Sequence, residues 1–213
     1  MTKGRVLLAD DHPLFREALC AAVGRLRPDF EIEQVESLDG ARNALRRDSS
    51  FELVLLDLKL RDCEGLVGLL TLRAEFPQAP VVVVSASEDA VTVSNSITAG
   101  ALGFIPKSAS MAVMSDALTA ILSGDVWTPD GLVLPPPSKA LQALASLSPA
   151  QARIIGFLGQ GLSNKLIAHE LGVTEATVKA HMTAAFRKLG VVSRTQALLL
   201  VASELQAISP ASA

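Results

Sequence analysis

The stretch Leu53–Leu56, with the sequence LVLL, decides how the first half of the chain folds. Its four apolar residues do not alternate with polar ones, so neither face of the segment suits water. Such a run is typical of a strand that is buried on both faces, as in parallel sheets covered by helices. The run Val81–Val84 has the same character. We therefore predict that both runs are inner strands of a parallel sheet, and that Asp57 directly follows the first of them.

Further strands and helices are predicted around these two runs. Short apolar segments bounded by polar or turn residues occur at Arg5–Ala9, Glu31–Glu36 and Gly103–Ile105, and each predicts a strand. Helical segments are predicted between the strands, at residues 13–26, 38–47, 65–75, 89–99 and 111–122. Five strands that alternate with five helices predict an α/β fold with a doubly wound, five-stranded parallel sheet.

The composition and pattern of the sequence change twice after these alternating strands and helices. We predict that residues 1–124 form the α/β domain and that residues 125–146 form a proline-containing linker, with one or two helical turns at Ser138–Ala145. Trp127, the only tryptophan, is expected to pack against the end of the first domain. Residues 147–208 are helical in pattern, with serine or threonine before each helix and glycine after the first three. Four short helices with a glycine turn between the second and third predict a small all-α domain of the helix-turn-helix type.

Charge is divided unevenly between the two predicted domains. Residues 1–124 carry 12 Lys/Arg and 17 Asp/Glu, whereas residues 147–205 carry six Lys/Arg and three Glu. The basic second domain favours a polyanionic partner for that half of the chain. The longest apolar runs are too short to cross a bilayer, so we expect a cytoplasmic protein with no membrane partner. Two cysteines without a CxxC pair exclude a disulfide scaffold and a cysteine-based zinc site.

Three aspartates stand at predicted strand ends. Asp10 and Asp11 follow the first strand, and Asp57 follows the third. In a doubly wound sheet these strand ends are neighbours, so the three carboxylates are expected to converge in one crevice. Like charges at close range require a cation, and oxygen ligands suit Mg²⁺.

Ser85 and Lys107 follow two further strands and are expected to meet these carboxylates. A hydroxyl and an ammonium beside a carboxylate and a divalent cation would orient and neutralise a phosphoryl group on Asp57. Any one of these residues alone is more often a helix cap or a solvated charge. Five polar residues at four strand ends of one sheet are much harder to explain that way.

Four spaced motifs, at residues 7–13, 53–58, 84–86 and 100–107, resemble the receiver domain of two-component response regulators. The resemblance implies that Asp57 accepts phosphate from a sensor histidine kinase. It also implies a Mg²⁺ site formed by Asp10, Asp11, Asp57 and the backbone carbonyl of Lys59, phosphate sensing by Ser85 and Lys107, and Phe104 as the aromatic switch residue. Activation is then expected to run through Ser85 and Phe104 to the face formed by the fourth helix, fifth strand and fifth helix.

The chain also departs from this family. Arg61 stands where the family commonly has proline, and Lys59 and Ser87 occupy positions that tune how long the phosphate survives. The phosphate lifetime is therefore open. None of the five core residues is missing, so we expect a receiver that can be phosphorylated.

The second domain resembles a LuxR-type helix-turn-helix, in residues 162–165, 174–181, 187–190 and 193–197. With the receiver, this places the resemblance in the NarL/FixJ class of response regulators. Along the third helix, Lys179, Thr183 and Arg187 recur every four residues on one face, which makes them available to a major groove. On another face, the residues expected to form the core are Val178, Met182, Ala185, Phe186 and Leu189.

Base readout is assigned to Lys179, Ala180 and Thr183, because residues near a recognition-helix N-terminus reach base edges. Phosphate contacts are assigned to the basic residues Lys165, Arg187, Lys188 and Arg194. The complete predicted DNA-binding set is Ser163, Asn164, Lys165, Thr174, Thr177, Lys179, Ala180, His181, Thr183, Arg187, Lys188 and Arg194. The last helix contains the unbroken apolar run 197–202, and we predict that Leu199 and Leu200 lie off the domain core and form a dimer interface.

The sequence therefore predicts a transcription regulator in which phosphorylation of Asp57 controls dimerisation and sequence-specific DNA binding. The expected partners are a sensor histidine kinase, a double-stranded DNA operator, a second copy of the chain in the active form, and RNA polymerase as a further candidate. One alternative is an enzyme, such as a phosphatase with an Asp nucleophile. Such an enzyme would normally have an acid two residues later, where this chain has Lys59. A second alternative is a regulator that binds DNA constitutively and uses the receiver only to dimerise.

Overall fold

The computed structural model of the chain describes residues 4–206. The predicted outer ends of the two domains, residues 1–3 and 207–208, lie outside the described residues. The α/β elements are β1 (Arg5–Ala9), α1 (Pro13–Leu26), β2 (Glu31–Val35), α2 (Leu38–Arg47), β3 (Leu53–Asp57), β4 (Lys59–Leu60), β5 (Cys63–Glu64), α3 (Val67–Glu75), β6 (Val81–Ser85), α4 (Ala90–Thr98), β7 (Phe104–Pro106) and α5 (Met111–Leu122). The helices that follow are α6 (Lys139–Ala145), α7 (Pro149–Gly159), α8 (Asn164–Leu171), α9 (Glu175–Leu189) and α10 (Arg194–Gln206).

The first domain is a five-stranded parallel sheet with the strand order β2-β1-β3-β6-β7. Strands β3 and β6 are buried at every position, as their unbroken apolar runs predicted. Neighbouring residues such as Leu55 and Leu56 belong to different hydrophobic clusters, so the sheet carries a core on both faces. The predicted doubly wound, flavodoxin-like fold is confirmed.

Two details of the first domain were not predicted. The strand expected at Gly103–Ile105 lies one residue later, because Gly103 instead forms a bridge with Trp127. A two-stranded antiparallel hairpin, β4 and β5, follows Asp57, and its turn consists of Arg61 and Asp62. Its strands are too short to produce a recognisable alternation in the sequence.

The predicted linker contains helix α6, which contributes to two cores. Ser138 caps its N-terminus, where its hydroxyl accepts a hydrogen bond of 2.9 Å from the Leu141 amide. The Leu141 side chain is 1% exposed and belongs to a core cluster of the first domain. One turn later, Leu144 belongs to the core of the C-terminal helices. Trp127 packs against the first domain as predicted, and its carbonyl accepts the Phe104 amide at 2.9 Å.

The C-terminal domain follows the predicted pattern of caps. Ser148 and Gln151 form a capping box at the start of α7. Gly172 and Gly190 end α8 and α9 with φ angles of 65° and 68°, a left-handed conformation that glycine adopts without steric cost. Before α10, the Ser193 hydroxyl accepts the Gln196 amide at 3.2 Å, and the Gln196 side chain accepts the Val192 amide at 2.9 Å. Within residues 4–206, no helix has the length and apolar character needed to cross a membrane.

Candidate functional site

The acidic pocket lies at the carboxyl edge of the sheet. Asp57 and Ser85 are the last residues of β3 and β6, and Asp10 and Lys107 directly follow β1 and β7. These four strands are consecutive neighbours in one parallel sheet. Their carboxyl ends therefore meet, and the side chains that follow them converge as the sequence predicted.

Lys107 bridges two buried carboxylates in this pocket. Its Nζ lies 2.7 Å from Asp57 Oδ2 and 2.7 Å from Asp10 Oδ2. The two carboxylate side chains are 2% and 1% exposed, so little water is available to solvate them. Burial raises the pKa of the Asp57 carboxyl, and the Lys107 ammonium and the Lys59 amide act against that rise. A single ammonium thus stabilises two carboxylates that the sheet brings together.

Backbone groups fix the rest of the pocket. The Lys59 amide donates to Asp57 Oδ1 at 3.1 Å, so both oxygens of Asp57 have a donor. The Lys107 amide donates to the Ser85 carbonyl at 2.7 Å, which ties the loop after β7 to the end of β6. The Ser85 hydroxyl accepts the Ser87 amide at 3.1 Å and stands at the same edge of the sheet. All five predicted core residues are placed at this edge.

The carboxylate oxygens of the pocket are suitable ligands for a hard divalent cation. Asp10, Asp11 and Asp57 each offer a carboxylate oxygen, and these atoms lie within 4.8 Å of one another and of a His12 nitrogen. Asp10 Oδ2 and Asp11 Oδ1 are buried, and their contacts within the described residues are ion pairs with Lys107 Nζ and His12 Nδ1, each at 2.7 Å. One ammonium faces three converging carboxylates, which favours a further cation, and carboxylate oxygens are the ligands that Mg²⁺ prefers.

His12 was missed in the sequence analysis. Its Nδ1 lies 2.7 Å from Asp11 Oδ1 and 3.7 Å from Asp57 Oδ2, and its backbone amide donates to Asp10 Oδ1 at 2.8 Å. Its position next to Asp10 and Asp11 in the sequence is the signal that could have identified it. A cavity of about 350 Å³ between α3 and α7 is lined by none of the acidic-pocket residues.

Helix α4, the predicted output element, lies beneath the linker. Five consecutive residues, 92–96, are buried, which requires cover on more than the side that faces the sheet. The Ser94 hydroxyl donates to the Pro135 carbonyl at 2.7 Å, and α6 packs against α4. Phe104, the predicted switch residue, is fully buried in β7 beside this helix. The predicted output face of the first domain is therefore in direct contact with the linker.

The helix-turn-helix consists of α8 and α9, with Gly172 in the turn. On α9, Val178, Ala185 and Leu189 are buried, and Met182 and Phe186 pack against the same core, as predicted.

The opposite face is exposed at Lys179, Ala180, Thr183, Arg187 and Lys188, whereas Thr177 and His181 are half-buried. From α8 and its flanks, Ser163, Lys165 and Thr174 are exposed and Asn164 is half-buried. Ser163 and Thr174 also act as N-caps, by accepting the amides of Leu166 and Thr177.

Two of the predicted phosphate contacts already have partners within the chain. Lys188 Nζ donates to the Ser146 carbonyl at 2.7 Å, at the end of α6. Arg194 Nη2 donates to the carbonyl of Leu158, in the last turn of α7, at 3.4 Å and to that of Leu162, in the loop after α7, at 3.0 Å. Both residues therefore help to hold the domain together, and these bonds to distant carbonyls leave no trace in the local sequence.

The two predicted dimer residues of α10, Leu199 and Leu200, differ in how far they are exposed. Leu199 is 65% exposed, as expected of a side chain that faces away from the core. Leu200 is half-buried and packs against the core of its own domain, so its predicted position off the core is wrong. The core of this domain extends further around α10 than the predicted helical stripe, and it accommodates the extra leucine.

Comparisons with known proteins agree with both halves of this description. The family profile for the response regulator receiver domain matches residues 6–119, and that for bacterial regulatory proteins of the luxR family matches residues 145–201. The chain is 39% identical to the glycerol metabolism activator of Pseudomonas putida over 206 residues, covering 92% of this chain and 93% of that protein. It is 32% identical to the nitrate/nitrite response regulator protein homolog of Haemophilus influenzae, covering 93% and 96%.

Solved structures show the same fold. The RcsB response regulator of Salmonella typhimurium matches with a TM-score of 0.55 at 19% identity, covering 95% of this chain and all of that one. A LuxR family DNA-binding response regulator from Silicibacter pomeroyi matches with a TM-score of 0.54 at 29% identity, covering 61% and 99%. The curated relatives are named as activators and regulators, which decides against the phosphatase alternative. The chain therefore belongs to the two-component response regulators that join a receiver domain to a LuxR-type DNA-binding domain.

Proposed function

We propose that phosphorylation of Asp57 by a sensor histidine kinase controls dimerisation of this regulator and its binding to a specific DNA operator. The observation that carries the proposal is the surroundings of Asp57. Its carboxylate is buried between the Lys107 ammonium and the Lys59 amide, and the oxygens of Asp10 and Asp11 lie within 4.8 Å. Positioned charges of this kind are what phosphoryl transfer requires.

In this mechanism an Asp57 oxygen forms a bond to the phosphorus of the kinase phosphohistidine, while the phosphorus–nitrogen bond breaks and the histidine nitrogen leaves. Lys107 neutralises charge on the transferred group, and the Ser85 hydroxyl orients one of its oxygens. Asp10, Asp11, Asp57 and the Lys59 carbonyl would hold Mg²⁺, which supplies further charge compensation when bound. Lys107 must then exchange one carboxylate contact for a phosphoryl oxygen.

Labelling with a small phosphodonor tests the acceptor assignment. We expect radiolabelled acetyl phosphate with Mg²⁺ to label the wild-type protein and to leave Asp57→Asn unlabelled. Asp39→Asn, which changes an exposed carboxylate elsewhere in the same domain, serves as the matched control and should label normally. Undiminished labelling of Asp57→Asn would exclude Asp57 as the acceptor.

The signal is proposed to leave the pocket through Ser85 and Phe104 and to reach α4, where the linker is attached through Ser94 and α6. Rearrangement of α4 would then change how the linker and the second domain are held. We expect Ser85→Ala to retain some phosphorylation while beryllofluoride, a phosphate mimic, changes its DNA affinity less than that of the wild type. An unchanged response to beryllofluoride would contradict this route.

Control is proposed to act by pairing two DNA-binding domains. Lys179, Thr183 and Arg187 are exposed in this conformation, so the reading face does not need to be uncovered from within the chain. One small basic domain offers few contacts, and a symmetric pair on two half-sites doubles them. Exposed Leu199 on α10 is the candidate contact between the two copies. Sedimentation with and without beryllofluoride should show a monomer converting to a dimer, whereas a dimer in both states would favour constitutive DNA binding.

A further inference from the structure

The hairpin that follows Asp57 is anchored at its turn to the start of another helix. Asp62 Oδ1 accepts the Leu38 amide at 2.8 Å, and Asp62 Oδ2 accepts the Asp39 amide at 3.0 Å. The next amide of α2, that of Gly40, donates to Ser37 at 3.0 Å. Asp62 thus caps a helix that begins 24 residues before it in the chain, and its charge lies at the positive end of that helix.

The same hairpin forms one wall of the Asp57 pocket. Its first residue, Lys59, donates its amide to Asp57 Oδ1 at 3.1 Å. The Gly65 amide donates to the Leu58 carbonyl at 2.7 Å and closes the base of the hairpin. With its base closed and its turn fixed to α2, the hairpin has little freedom to move Lys59 relative to Asp57.

A second connection joins the hairpin turn to the other side of the pocket. Arg61 Nη2 lies 2.6 Å from Glu36 Oε2, and Glu36 Oε1 lies 3.0 Å from Arg16 Nη2. Arg16 Nη1 donates to the Asp10 carbonyl at 2.7 Å. The Arg61 side chain is 62% exposed, so its ion pair with Glu36 contributes little to the stability of the hairpin. Most of the anchoring is therefore assigned to Asp62.

We propose that Asp62 is a positioning residue for the phosphoacceptor site, which acts by holding the hairpin and with it the Lys59 backbone against Asp57. The inference rests on the proposed function, because the Lys59 carbonyl is expected to join the carboxylates around Mg²⁺. Groups that orient metal ligands without touching the metal commonly change metal affinity when they are removed. Neither Asp62 nor α2 contributes to the carboxylate cluster itself.

Calorimetric titration with Mg²⁺ alone tests the proposal on the full-length protein. We expect Asp62→Ala to raise the Mg²⁺ Kd about tenfold, in the range typical of residues that orient metal ligands. Asp62→Asn keeps an oxygen acceptor for one amide and should fall between Asp62→Ala and the wild type. Glu64→Ala removes a carboxylate from the same hairpin that makes no hydrogen bond or ion pair with the described residues, and its Kd should match the wild type. Thermal unfolding of each variant verifies that it is folded.

Two results would overturn the assignment. A Kd for Asp62→Ala that matches the wild type would show that the anchor does not position the site. Equal weakening in Asp62→Ala, Asp62→Asn and Glu64→Ala would show that negative charge alone matters. If the wild type itself neither binds Mg²⁺ nor accepts phosphate from acetyl phosphate, the proposed function fails instead, so the two failures are distinguishable.

Discussion

Two lysines show how differently the two domains prepare for an anionic partner. Lys107 is 13% exposed and contacts two buried carboxylates within the chain. Lys179 is exposed on α9, and its ammonium makes no hydrogen bond or ion pair within the described part of the chain. The receiver pocket is thus organised by contacts within the chain, whereas Lys179 on the proposed DNA-binding face has no internal partner for its ammonium. Substitutions at the first site should therefore affect folding, and those at the second should affect binding.

Lys107→Ala should give the largest loss of stability. Removing the ammonium leaves Asp10 and Asp57 buried without a compensating charge, which typically costs about 3–5 kcal/mol. Denaturant unfolding without Mg²⁺ measures this loss. Added Mg²⁺ should stabilise Lys107→Ala more than the wild type, because the cation compensates the same carboxylates. A variant as stable as the wild type would show that this pocket is not organised by Lys107.

Arg194→Ala tests whether Arg194 stabilises the fold of its domain, unlike the exposed arginine Arg187. Its guanidinium donates to one carbonyl in the last turn of α7 and to one in the loop after it, and hydrogen bonds from a charged group contribute about 1.5–3 kcal/mol. We expect its loss to lower the free energy of unfolding by about that amount. Arg187→Ala, at an exposed residue of α9, is the control and should change stability by less than about 0.5 kcal/mol. Equal stability of the two variants would show that the Arg194 hydrogen bonds do not stabilise the domain.

Lys179→Ala should leave folding unchanged and weaken DNA binding by about 1–3 kcal/mol at the preferred site, with relaxed specificity there. Lys165→Ala is its counterpart and should have the smallest effect, because this predicted phosphate contact is exposed and makes no side-chain hydrogen bond or ion pair within the described part of the chain. It should weaken all sequences alike and reduce the slope of log affinity against log salt by about one. Binding titrations with specific and random duplexes at several salt concentrations measure both variants. Affinity that does not depend on salt would indicate that this face binds protein rather than DNA.

The buried acidic pocket was largely predictable from the sequence, whereas the contacts of the C-terminal domain and of the hairpin were predictable only in part. Asp10, Asp57 and Lys107 converge because parallel strands end at one edge of a sheet, and apolar runs mark those ends. The caps of α8 and α9 are local and were predicted correctly. The roles of Asp62, Arg194 and Lys188 were not, because each depends on a backbone group more than 20 residues away. No periodicity in the sequence encodes contacts of that kind.

Helix α6 limits where the two domains can be separated. Leu141 completes the core of the receiver, and Leu144 completes the core of the DNA-binding domain, although only one helical turn lies between them. A chimera joined before α6 places Leu141 against a foreign receiver, and one joined after it places Leu144 against a foreign helical core. Exchange of domains between relatives therefore requires that α6 be matched to both neighbours, so recombination can combine these two modules only where the helix fits each of them.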